Sequence, residues 1–89
     1  MTHIVKRRGH LQEFDERKIY GSVYAACLAS HTDEEMAEAT ANLVTKEMKK
    51  WVGDKNQVTS QEIFEKVSDE LEHLNKEAAF MYKTHRDVS

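Results

Sequence analysis

Proline is absent from this 89-residue chain and glycine occurs only three times. Few positions therefore interrupt helices, and a mostly helical chain is expected. Cys27 is the only cysteine, which excludes an internal disulfide and a four-cysteine zinc site. It sits among Val23, Ala25, Ala26 and Leu28 and reads as a small buried apolar residue, not a nucleophile. No apolar run is long enough for a signal peptide or a membrane span, so a reducing cytoplasm is the expected location. The length leaves no room for a second core, so residues 1–89 are expected to form one domain.

The usual catalytic signatures are also missing. The histidines, at 3, 10, 31, 73 and 85, offer no pair at i+2, i+3 or i+4 spacing, so no metal site is expected. There are no P-loop glycines, no Ser–His–Asp order and no paired carboxylates with a supporting pocket signal. A binding protein is expected, not an enzyme.

What the chain does have is an uneven charge. Residues 1–18 hold five Lys/Arg against three Asp/Glu, while the rest hold eight against thirteen. A cationic start on an acidic body, with net charge −3, suits a small anionic ligand better than a duplex, which wants a broad basic face.

The pattern of residues predicts a small sheet and four helices. Thr2 to Arg7 alternates like a short strand, Arg8-Gly9-His10 makes a turn, and Leu11 to Phe14 returns as the second strand of a hairpin. Asp15 is placed to cap a helix from about Glu16 to Ser30, with Ile19, Val23, Ala26 and Cys27 buried and Tyr20 and Tyr24 alongside. Thr32 or Asp33 caps a second helix reaching about Val52. Its apolar face is expected to carry Met36, Ala39, Leu43, Val44, Met48, Trp51 and Val52. Gln57-Val58-Thr59 suggests a third, very short strand. Thr59 then opens a capping box with Glu62, ahead of a helix bearing Ile63, Phe64, Val67, Leu71 and Leu74. A turn near His73–Asn75 leads to a last helix with Ala78, Ala79, Phe80, Tyr82 and Arg86. The expected class is α+β, mainly helical: a four-helix bundle capped by a small N-terminal β-hairpin or three-stranded sheet.

Four segments in order resemble the ATP-cone, the nucleotide-binding regulatory domain of ribonucleotide reductases and of the zinc-ribbon repressor of reductase genes. They are Val5-Lys6-Arg7-Arg8-Gly9, Phe14-Asp15-x-x-Lys18-Ile19, the helix from Thr59 to Leu71 with Ile63 and Val67, and Ala79-x-x-Tyr82-x-x-x-Arg86. The resemblance spans nearly the whole chain. It implies ATP or dATP bound with Mg under a three-stranded sheet, and a nucleotide-dependent change of quaternary structure that sets a partner's activity. The partner it implies is ribonucleotide reductase or another regulated protein, with a homo-oligomer as a second route. The chain departs from the family at Arg8, where aspartate is frequent, and at Phe64, where some members carry a polar residue.

Individual residues take roles on this basis. A triphosphate needs cations, and Lys6, which matches the family's phosphate-side lysine, is the first choice, followed by Arg7. Strand alternation sends Lys6 and Arg7 to opposite faces, and edge charges also serve simply to deter aggregation. Lys18 lies in the first helical turn, against the helix dipole, which points to a ligand role as much as to a salt bridge with Glu13 or Asp15. Adenine asks for an acceptor beside a donor, and Gln12, Glu13 and Asp15 stand at the strand-to-helix junction with the main chain around Val5. Ile19, Phe14 and Ile63 are expected as purine walls and equally as core. Thr59 and Ser60 offer hydroxyls to ribose or phosphate, and Arg86 is placed to close over the phosphates.

The leading expectation is a regulatory module that binds adenine nucleotides, with no membrane and no DNA involved. The alternative is a nucleic-acid-binding transcriptional module touching phosphates through Lys6, Arg7 and Arg8, and a third is a small nucleotide hydrolase.

Overall fold

The computed structural model describes residues 2–5 and 11–84. In order they form β1 (His3–Val5), β2 (Leu11–Glu13), α1 (Glu16–Ala29), α2 (Glu34–Val52), β3 (Gln57–Thr59), α3 (Ser60–Leu74) and α4 (Lys76–Thr84). The chain is thus α+β and mainly helical, with four helices and a small mixed sheet, as its sequence suggests. The expected Arg8-Gly9-His10 turn lies outside the described residues.

Helix starts are set locally. A helix leaves its first backbone N–H groups without partners, and the sequence supplies an acceptor at each start. The Asp15 carboxylate accepts from the Arg17 N–H at 3.0 Å, and that of Asp33 from the Met36 N–H at 2.8 Å. The Thr59 hydroxyl accepts from the Glu62 N–H at 3.0 Å, while the Glu62 carboxylate accepts from the Thr59 N–H at 2.8 Å, which completes the capping box. Asn75 caps α4 by accepting from the Ala78 N–H at 3.0 Å, and its amide also donates to the Thr32 hydroxyl at 2.8 Å. That second bond ties the α1–α2 connection to the α3–α4 turn.

The end of α1 uses a less expected residue. His31 has φ 65°, and the N–H groups of His31 and Thr32 donate to the carbonyls of Leu28 and Cys27, each at 3.0 Å. This is a Schellman ending in which histidine occupies the left-handed position that glycine normally fills.

The core is built from α1, α2, α3 and α4 with Val58 of β3. Ile19, Val23, Ala26 and Cys27 are buried as expected, and Tyr20 and Tyr24 stack with ring centroids 6.1 Å apart. Burial also pushes the Cys27 thiol up in pKa, opposed by a weaker hydrogen bond from Thr40. A thiol held protonated is no nucleophile.

On α2 the expected stripe is corrected by about one residue. Ala37, Thr40, Ala41, Val44, Thr45, Met48 and Val52 are buried, whereas Met36 is 57% exposed, Leu43 is 51% exposed and Ala39 is exposed as well. The helix packs chiefly on α1, and the small residues at 37, 40 and 41 belong to the face it buries. Larger side chains there would hold the two axes apart, so the bulkier Met36 and Leu43 are turned outward.

The sheet order is β2-β1-β3, with β1 antiparallel to β2 and parallel to β3. Its register aligns Ile4 with Gln12 and Val58, His3 with Glu13 and Gln57, and Val5 with Leu11 and Thr59. The Thr2 hydroxyl donates to the carbonyls of Val52 and Lys55 at 2.8 and 2.9 Å, and the His3 N–H donates to Asn56. Those bonds fasten the central strand to the end of α2.

Candidate functional site

Paired residues in a sheet share a face, and alternate rows face opposite ways. Val58 is buried and Ile4 packs on the core, so the Ile4–Gln12–Val58 row looks into the bundle. Gln12 therefore sits half-buried on the inner face, while its neighbours Leu11 and Glu13 are exposed. Its amide has no hydrogen-bond partner among the described residues. Val5 and Thr59 belong to an outer row, as does Glu13. Of the residues expected to read a base from the sheet, only Gln12 presents its side chain to the interior.

At the start of α1, Asp15 is already committed. Its two carboxylate oxygens accept from Nε and Nη2 of Arg17, each at 3.1 Å, in addition to the Arg17 backbone N–H. The Arg17 side-chain bond, then its backbone bond, holds the Asp15 carboxyl below its ordinary value, with a smaller contribution from Lys18. The Arg17 guanidinium is held above its ordinary value chiefly by the same bond. Capping is thus a role the geometry gives Asp15, and Oδ2, with one bond from Arg17, keeps room for a further donor.

The salt bridge anticipated between Lys18 and Glu13 or Asp15 is not formed. Arg17 takes Asp15, and Lys18 has no ion pair among the described residues. Lys18 is exposed in the first turn of α1, with its backbone N–H donating to the Asp15 carbonyl at 3.1 Å. Its ammonium is available to an anion. The next residue, Ile19, is buried in the same cluster as Ile63, and Phe14 packs against that cluster together with Ile4 and Tyr82. The apolar groups expected as purine walls are therefore in or against the core cluster.

The start of α3 follows β3 without a loop, so Thr59 is both the last strand residue and the helix cap. Backbone and side-chain hydrogen bonds with Thr59 hold the Glu62 carboxyl below its ordinary value. The Thr59 hydroxyl is already used by the Glu62 N–H, though its second lone pair is open, and Ser60 is exposed beside it. Backbone N–H groups at a helix start, next to exposed hydroxyls, suit an anion.

Phe64 stacks on Tyr82 with centroids 5.4 Å apart and planes 18° from parallel. The two rings join α3 to α4 at the position where Phe64 departs from the polar residue of some ATP-cones. Arg17 was not singled out in the sequence, yet the Asp-x-Arg spacing at a helix start was the available signal. Lys6, Arg7 and Arg86 lie outside the described residues.

Among the described residues no group of three His, Cys, Asp or Glu could hold a metal ion, and no helix is long and apolar enough to cross a membrane. A comparison with curated proteins finds no match. The family model of the ATP cone domain matches residues 2–88, essentially the whole chain. The inner sheet face, the two capped helix starts and that match lead to one conclusion: the chain belongs to the ATP-cone family of adenine-nucleotide-binding regulatory domains.

Proposed function

We propose that residues 1–89 act as one regulatory unit that binds ATP or dATP between the sheet and the starts of α1 and α3, without turning it over. The observation that carries this reading is Gln12: a half-buried amide on the inner sheet face with no partner among the described residues. A carboxamide offers a donor and an acceptor side by side, which matches the amino group and ring nitrogen of adenine. Ile19, Phe14 and Ile63 supply the apolar surroundings, and Lys18 with the α3 start supplies positive potential for phosphates. In this reading Lys6, Arg7 and Arg86 add cations, Ser60 and Thr59 add hydroxyls, and Val5 and Glu13 contribute main-chain groups. Mg would enter with the triphosphate, held mainly by phosphate oxygens and water, since no carboxylate cluster stands among the described residues.

A ligand shifts a protein only by binding one state better than another. The states here are proposed to differ in assembly, either of this chain with itself or with a partner such as ribonucleotide reductase. Calorimetry with ATP, dATP, ADP and GTP tests the binding step. Saturable adenine-selective binding, weakened in Gln12→Ala and Lys18→Ala, supports the reading. Equal binding of GTP, release of phosphate over hours, or a salt-steep affinity for DNA in place of nucleotide would overturn it.

A further inference from the structure

A cavity of about 340 Å³ opens between the start of α1 and the middle of α2. Its walls include Phe14, Tyr20, Asn42 and Thr45, none of which except Phe14 enters the site proposed above. A volume of this size suits a single small ring system. Thr45 carries the observation that sets it apart. The residue is only 9% exposed, and its hydroxyl is the one buried side-chain polar atom without a hydrogen-bond partner among the described residues. An unpaired buried hydroxyl is a standing cost that a ligand can relieve. Thr45 lines the cavity, so the side chain that carries this unpaired hydroxyl borders the space a ligand would fill.

Electrostatics decide the kind of ligand. Arg17, on the rim, is taken by both oxygens of Asp15. Glu16, also on the rim, is paired with Lys49 at 3.3 Å. The one cation among the described lining residues, Arg17, already has a carboxylate, and those side chains carry one positive against two negative charges. A phosphate is therefore repelled. Two aromatic walls favour a flat ring, and the Asn42 amide and Thr45 hydroxyl offer neighbouring donors and acceptors.

We propose that this cavity is a binding site for a neutral heteroaromatic ring with an amide-like edge, the chemistry of a nucleobase or unphosphorylated nucleoside. It lies on the α2 side of α1 and shares only the Phe14 wall with the triphosphate site proposed above.

The test is a titration of the isotope-labelled chain with adenosine, guanosine, uridine and cytidine, followed by amide chemical shifts. At least one nucleoside is expected to move Asn42, Thr45 and Tyr20 at millimolar concentration or below. Asn42→Ala, at an exposed position, is expected to weaken that binding roughly tenfold, and Thr45→Val to weaken it while leaving ATP affinity unchanged. Shifts confined to Thr59, Ser60 and Ile63, no shifts at all, or unchanged nucleoside affinity in both variants would overturn the proposal. Loss of ATP binding in wild type with these shifts retained would instead strike the triphosphate site alone.

Discussion

Thr59 separates stability from ligand binding, because a single position serves the α3 cap and borders the proposed phosphate end. Replacing it with alanine deletes the acceptor for the Glu62 N–H, held at 3.0 Å. Loss of such a cap costs about 1 kcal/mol, which for a chain of this size lowers the thermal midpoint by roughly 5 °C. Thr59→Asp behaves differently. Aspartate caps at least as well as threonine and its charge suits the helix dipole, so the midpoint stays within a few degrees of wild type. The added carboxylate, however, meets the phosphates. A unit charge about 5 Å from another interacts by about 3 kcal/mol at an effective dielectric near 20, and by under about 1 kcal/mol in bulk water. Thr59 is exposed, so the expected loss lies between about 1 and 3 kcal/mol, or roughly 5- to 150-fold in Kd. Thermal circular dichroism and calorimetry with ATP read the two effects independently. A Thr59→Asp chain that melts like wild type and binds ATP with undiminished affinity would refute the placement of phosphates at the start of α3.

Two further outcomes follow from local geometry. His31→Gly removes the strain of a non-glycine residue at φ 65° and is expected to stabilise the fold by about 0.5–1 kcal/mol in chemical denaturation; a destabilisation would contradict the Schellman description. Asp15 and Glu62 both titrate below their ordinary values of 3.8 and 4.5. Their stabilisation is therefore fully present above those values and is lost as pH falls through the lower folded ones. The thermal midpoint should hold steady down to about pH 5 and drop below about pH 4, and less steeply in an Asp15→Asn, Glu62→Gln double variant.

The parts of this structure that the sequence makes legible are those encoded within a few residues. Asp15, Asp33 and the Thr59–Glu62 box each satisfy a backbone group two or three positions away, so helix starts can be read from the string. The short β3 strand, Gln57-Val58-Thr59, is legible next to the Thr59 cap on which it ends. What stayed hidden depends on distant neighbours. The rotation of α2 is fixed by its packing on the other helices, chiefly α1, and no periodicity within α2 states that. The bond between Asn75 and Thr32, and the two from the Thr2 hydroxyl, likewise join residues far apart in sequence.

At the site the same division holds. Phe14, Ile19 and Ile63 gather in one cluster as their spacing implied. The facing of Gln12 against Val5 and Glu13 emerges only when β1 pairs with both neighbours, because register assigns the inner row. Asp15 reads in the sequence as a cap and as a base contact, two roles that can hold at once; the bond from the Arg17 N–H shows the cap.

The most direct measurement is an amide chemical-shift map of the labelled chain titrated with ATP. Adenine under the sheet and phosphates at the helix starts predict the largest changes at Gln12, Lys18, Ile19, Ser60 and Ile63, with Ser30–Thr32 and Leu74–Asn75 almost still. A map centred on that far end of the bundle, or one without saturation, would contradict the account.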